Sequence, residues 1–564
     1  MVHQLEGSGA AKIAVKSSNL MIRLIKRAVP VGIIALIRLK RKCTRDFPSC
    51  SLCVRLHKSC EYPEEALPNT VTNPAVDERL RRLEQLLSAN SISPREATTA
   101  PTTSFFPPVQ NPEQEFPLPF FLDNELFTPL RENALSQSHE SSLHRIASEH
   151  VGQDPIAGCA AFFSTVHTWL PMISRKRLVH ELSTESSDDA CLMLLVLCMK
   201  LCTADTGNRP KELPLYTLAR SLYSTAELGG FVTLRLLQSL VLLTVYELGH
   251  AIYPAAFLTI SRAARLGILM GFHDRKAAPQ LFKPAETWTL REEQRRTWWA
   301  VFILDRFVNI ENSGVPLASP EPCMSELLPV NDKDWEDGSV VPSEPLYTKS
   351  FSSVTTVGSF AKTCQAAHML SKVMRHREAR ASSQDITELL PEAQHLHRAL
   401  YTLQMSMKHL ESGSDQSQII DSSSLPALGL CCSARLLLYN QYACNEPLGL
   451  ATNGPVALET ELQKAGLDGI KTMSSFTARM VAQDTGGCPF VARFLYHAAT
   501  ECAWFIKEDH EQVMYDALED IVNGLRSMAK QWGVAGQYIS LLEQEEVLKL
   551  INVDIGVSST TSTF

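Results

Sequence analysis

Glu292-Glu-Gln-Arg-Arg-Thr-Trp-Trp-Ala-Val-Phe-Ile-Leu-Asp-Arg306 is the stretch whose reading decides the fold. Its apolar residues recur at three- and four-residue spacing, the period of an amphipathic helix. Trp298, Phe302 and Leu304 make a wide apolar face, and Arg295, Arg296, Asp305 and Arg306 flank it. Those charges are placed to pair with neighbouring helices and fix their orientation; holding a small molecule between helices is the other use such a region has.

The same period runs outward from this segment. Asp188–Thr203, Leu213–Glu227, Thr233–Leu248, Ala255–Met270 and Arg291–Ile310 each repeat apolar residues at three and four. Gly229-Gly230 closes one of these helices, and Pro254 stands just inside the first turn of another. Further helices are expected over 357–378, 385–411, 424–444, 456–481, 489–506 and 511–533, with the most polar stretch at 350–420 and a frayed end at Ser558–Phe564. Alternating strand patterns bounded by hairpin turns are hard to find, so the body, 131–555, is expected to be all-α.

A chain of 564 residues exceeds what one hydrophobic core serves, so a second unit is expected. The net charge of −8 argues against nucleic-acid binding over the whole surface. Its distribution singles out one end. Leu20–Cys60 holds ten Lys or Arg against one acid, Asp46, a local footprint for a polyanion. Ala28–Ile37 is apolar but too short to span a bilayer, and Arg38–Cys43 (RLKRKC) follows where a signal peptide needs a cleavage site. A soluble protein without membrane attachment is expected.

Four of the fifteen cysteines crowd into this basic end as Cys43-x6-Cys50-x2-Cys53-x6-Cys60. Thiolates bind zinc tetrahedrally, and a pair two residues apart lets one turn supply two ligands. The other eleven cysteines lie mostly within apolar helical patterns, as Cys191, Cys198 and Cys202 do, and are expected to be small buried hydrophobes in a reducing compartment. Beyond Cys60, Pro63, Pro68 and Pro74 lead to Val76, Leu80, Leu83 and Leu87, a heptad pattern over 75–90 that suits either a short coiled coil for weak homodimerisation or a lone amphipathic helix. Prolines, Ser and Thr then dominate 91–130, a flexible linker.

Lys40-Arg41-Lys42-Cys43, Phe47-Pro48-Ser49-Cys50, Cys53 and Cys60 resemble the last two-thirds of a fungal Zn2Cys6 binuclear cluster, here over 38–62. The family's preceding C-x2-C would fall at positions 33 and 36, where this chain has Ile33 and Leu36. The resemblance implies zinc as cofactor, Cys43, Cys50, Cys53 and Cys60 as ligands, and a basic helix entering the DNA major groove. On that pattern Lys40 reads base edges, while Arg38, Arg41, Lys42 and Arg45 keep the stretch basic for phosphates. Two explanations of the missing pair stay open. Residues 1–37 come from a wrongly drawn start or a retained intron, or the module has lost two ligands.

Ala161–Arg177 (AFFSTVHTWLPMISRKR), Tyr253–Phe257, Arg262–Ile268, Glu292–Arg306, Gly314–Leu317 and the acidic Leu327–Asp337 are similar to the fungal-specific transcription factor domain. Together the two resemblances imply a nuclear, sequence-specific DNA-binding regulator acting on promoter sites with CG-rich triplets, in secondary metabolism. A small-molecule effector held between helices stays open as the alternative use of the body's charged segment. The alternative is a co-regulator that keeps only the helical body. GxSxG, Walker, HExxH and strand-borne GxGxxG motifs are all missing, so an enzyme is not expected. His395-Leu-His397 reads as a polar helix face, His167, His250 and His273 as structural residues at helix ends or turns, and Cys431-Cys432 as core.

Overall fold

Capping side chains set where the helices begin. Asp189 accepts the Cys191 and Leu192 N–H groups at 2.8 and 3.1 Å, Thr233 that of Leu236 at 3.0 Å, and Thr287 that of Leu290 at 3.2 Å. The computed structural model describes residues 119–122 and 141–552, the latter interrupted at 185–188, 206–208, 277, 282–284, 324, 347–356, 383–386, 408–421, 443–459, 461, 465–470, 472, 475–487 and 510–511. The described residues fall in one compact unit.

The main helices are α1 (Ser141–Val151), α2 (Arg175–Ser183), α3 (Ala190–Thr203), α4 (Pro214–Leu228), α5 (Leu234–Gly249), α6 (Ala255–Leu269), α7 (Trp288–Val308), α8 (Asp332–Asp337), α9 (Ser359–Ser382), α10 (Leu390–Ser406), α11 (Leu425–Tyr439), α12 (Pro489–Asp509), α13 (Gln512–Met528) and α14 (Gly533–Gln544). Among the described residues β pairing is limited to one antiparallel bridge, Leu327 to Pro345. The body is all-α, as its periodicity implied.

Neighbouring helices form a continuous series: α1 on α3, α3 on α5, α5 on α7, α7 on α9, α9 on α11, and α11 on α12. Helix α14 packs on both α12 and α5, which links the far end of the series back to its start. That closure is tight. Gly249, inside α5, faces the Trp532 ring so closely that a Cβ there would stand 2.2 Å from it. Trp532 in turn meets Trp169, which meets Phe490 at 5.5 Å, and Phe490 meets Phe307 at 4.6 Å.

Helix α5 is buried from Arg235 to Gly249 and α7 almost throughout from Glu292 to Val308. Both carry polar residues despite that burial, among them Arg235, Arg296 and Arg306, which hydrogen-bond within the protein. Nine of the ten described cysteines are buried and none is disulfide-bonded, as expected of small hydrophobes. Burial pushes the Cys191 thiol up to about 12, which keeps it protonated.

Two expectations need correction. Pro254 is the N-cap residue of α6, after a cis peptide bond with Tyr253, rather than a residue of its first turn. Pro119–Leu122, inside the stretch read as flexible linker, forms one helical turn with Phe120 against the core. The heptad segment 75–90 and the helix expected at 456–481 lie outside the described residues or are only partly among them.

Candidate nucleic-acid interface and the charged hubs of the body

Cys43, Cys50, Cys53 and Cys60, with Arg38, Lys40, Arg41, Lys42 and Arg45, lie outside the described residues. Among the described residues no group of three or more His, Cys, Asp or Glu is placed to hold a metal ion, and no helix is long and apolar enough to cross a membrane. The donor set itself can be tested against zinc. Four thiols complete one tetrahedral site, whereas two zincs sharing bridging thiolates need six. Residues 38–68 therefore fit one zinc ion and not a binuclear centre.

In the body, the charges of Glu292–Arg306 form three buried hubs on α7. Glu293 Oε1 accepts from Ser174 N at 3.0 Å, Arg235 Nη1 at 2.8 Å and Gln238 Nε2 at 3.2 Å, and its Oε2 pairs with Arg177. Glu181 binds both Arg177 and Arg235, so α2, α5 and α7 share one network. Arg235 is almost wholly buried. Burial works against its charge, and Glu293 and Glu181 outweigh that and hold it protonated.

Arg296 is the second hub. It donates to Glu292 Oε1 at 3.1 Å, Asp332 Oδ1 at 2.7 Å, Val330 O at 2.7 Å and Pro171 O at 3.1 Å. Its guanidinium lies 4.1 Å from the Trp335 ring centre, with His167 stacked against that same ring. Glu292 Oε1 also accepts the Val330 N–H, and Trp299 Nε1 donates to Leu327 O. The acidic Leu327–Asp337 segment is thus pinned to α7 along its length.

Arg306 is the third. It donates to Asp305, Ser319 Oγ, Ser319 O, Glu321 and Ser371 and covers the Phe302 ring at 4.0 Å. Asp305 accepts from the Ser319 N–H and hydroxyl at 2.8 and 2.7 Å, which anchors the turn after α7. These side chains spend their hydrogen bonds on the protein itself. The expected ion-pair network is present among the described residues and ties neighbouring helices together.

The histidines read as structural take structural positions. His250 caps α5 and accepts the Gly533 N–H at 3.3 Å; burial lowers its pKa to about 4. His397 pairs with the Tyr439 hydroxyl at 2.8 Å. Sequence reasoning missed His376, buried between Glu392 and the Tyr442 hydroxyl at 2.7 Å each, because a lone histidine in a polar stretch gives no periodic signal.

Residues 160–443 match the family model of the fungal specific transcription factor domain, and residues 38–68 that of the fungal Zn(2)-Cys(6) binuclear cluster domain. The chain is 43% identical over 139 residues to "Transcription factor BOA15" of Botryotinia fuckeliana, covering 24% of this chain and 76% of that protein. It is 28% identical over 173 residues to "Transcription factor tazR" of Aspergillus terreus (30% of this chain, 27% of that one), and 26% identical over 247 residues to "Asperfuranone cluster transcription factor afoA" of Emericella nidulans (39% and 37%). The match thus spans about a quarter to two-fifths of the length of these last two relatives. No solved structure matches the chain. Zinc, DNA and the nucleus follow from the family, and the relatives named are transcription factors. With half of the chain matched by the regulatory-domain model and a zinc-cluster match ahead of it, the chain belongs to the fungal Zn2Cys6 transcription factors.

Proposed function

We propose that the chain switches a secondary-metabolite gene cluster through a head in which Cys43, Cys50, Cys53 and Cys60 hold a single zinc ion. The observation that supports it is the 6-2-6 spacing of four thiols inside the one strongly basic stretch of an acidic protein. In this reading Lys40 contacts base edges, and Arg38, Arg41, Lys42 and Arg45 contact phosphates. Bound zinc supplies folding free energy to such a module, on the order of 10 kcal/mol. Val76, Leu80, Leu83 and Leu87 pair two chains weakly, so the DNA site holds two half-sites. The pathway rests on relatives such as the asperfuranone cluster factor and the "Pigment biosynthesis transcriptional activator pigB" of Monascus ruber.

The test is fluorescence anisotropy of the full chain on a duplex with paired CG-rich triplets, titrated with salt. Four phosphate contacts give a log–log salt slope of about −3 to −4. Lys40→Ala should weaken binding at least about tenfold, the scale of one good base contact, and a zinc chelator should abolish it. Binding that survives both changes would refute the assignment. No binding even at low salt would make the chain a co-regulator acting through its body.

A further inference from the structure

We infer that Arg377, Arg493 and His497 form an oxyanion site, held in the free protein by the carboxylate of Glu311, for a small acidic molecule with a flat apolar body. Arg377, on α9, and Arg493, on α12, are 4% and 5% exposed. Arg377 Nη1 donates to Ile310 O at 2.7 Å, but its Nε and Nη2 meet no partner among the described residues. Arg493 Nη2 pairs with Glu311 Oε1, and its Nε and Nη1 likewise meet none. Four buried guanidinium nitrogens are therefore left without acceptors, where each unmade bond carries a desolvation cost. The contrast with Arg296 and Arg306, whose donors are matched to carboxylates, hydroxyls and carbonyls, sets this pair apart.

Among the described residues Glu311 is the one carboxylate in hydrogen-bond contact with the cluster, shared by Arg493 and, at 3.2 Å, by His497 Nε2. Its hydrogen bond to His497 and the charge of Arg493 hold its carboxyl well below the usual range, so it is an anion at every physiological pH. It sits in the turn after α7 with its side chain 62% exposed, free to swing outward without moving a helix. Glu378, the neighbour of Arg377, is directed to the Gly314 N–H instead.

Tyrosines lie on the α12 side of the cluster, with Tyr496 against the His497 ring at 5.0 Å. Tyr253 and Tyr538 lie within the electrostatic reach of Arg493, Tyr496 stacks on Tyr538 at 4.9 Å, and Tyr253 is half exposed. A carboxylate position beside one half-exposed and two partly buried tyrosines suits a small molecule with a single oxyanion and a planar body. An acidic peptide, which brings several charges, fits it less well. The site makes no use of the DNA-binding head and stands or falls separately from it.

The test is the melting temperature of the full-length protein with benzoate or phenyl phosphate, against chloride and inorganic phosphate at matched ionic strength. A saturable rise is expected with the aromatic oxyanions, and the more effective of the two identifies the preferred group. Glu311→Gln removes the competing carboxylate and should lower the midpoint concentration at least about tenfold, the worth of one charge-assisted hydrogen bond. Arg493→Gln should erase the rise. The site is overturned if no rise occurs, if Glu311→Gln leaves the midpoint unchanged, or if inorganic phosphate acts as strongly as phenyl phosphate. Should Arg493→Gln fail to fold, the exposed Glu311→Gln variant decides alone.

Discussion

Replacing Arg296 by Met keeps most of its volume and removes every donor, so the cost can be built bond by bond. Pro171 O loses its Arg296 donor and Val330 O its 2.7 Å bond, both in buried surroundings. Glu292 keeps the Val330 N–H and Arg295 but loses the charge that lies deepest beside it. Asp332 retains the Phe360 N–H at 3.1 Å and is part exposed, so its loss is small. Two orphaned carbonyls and a half-stripped buried carboxylate together come to about 3–5 kcal/mol, the range for breaking one side of a buried pair. That is a large part of the roughly 5–15 kcal/mol that holds a domain folded. All seven tryptophans lie beyond residue 160, so intrinsic fluorescence during urea unfolding of the full chain reports the body alone. Trp335 adds a native-state signal, since the guanidinium at 4.1 Å leaves its ring. Adding Glu292→Gln to Arg296→Met should cost less than the two single changes summed, by about 1–3 kcal/mol. A loss below about 1 kcal/mol for Arg296→Met, or strict additivity, would refute the hub.

Other expectations follow from the same packing. Gly249→Ala places a methyl into the Trp532 ring and should cost about 1–3 kcal/mol by urea unfolding; a smaller aromatic, Trp532→Phe, should recover part of it. His250 has its pKa lowered to about 4 by burial, against about 6.5 when unfolded, so the folded state resists its protonation. Stability should therefore fall as pH drops from about 6.5 towards 4, by up to about 3 kcal/mol for this residue, and level off below. His250→Asn keeps an acceptor for Gly533 N without titrating, and unfolding curves across that window should flatten relative to the parent.

Much of the body was legible because its helices repeat apolar residues at a fixed period; the start expected at Thr233 is a capping side chain, whereas α7 begins after Thr287, about a turn before the expected Arg291. The roles of Arg295, Arg296, Asp305 and Arg306 were legible as orientation but not as addresses. Nothing local in the sequence says that Arg296 meets Pro171 O, 125 positions away, or that Arg493 meets Glu311 across 182. The Arg377–Arg493 cluster was invisible for the same reason: its members come from three separate segments, each unremarkable alone. Gly249 reads as a weak point in a helix until the ring of Trp532 is seen against it. The thiols of the head lie outside the described residues, so the ligand set implied by their spacing rests on the sequence alone.

The central claim is that four cysteines, not six, build a working head. Elemental analysis of zinc in the purified full-length chain tests it most directly. One zinc per chain, lost in Cys43→Ser and Cys60→Ser, is the predicted result. Two zincs per chain would mean that other groups replace the pair displaced by Ile33 and Leu36, and none would contradict the zinc head altogether.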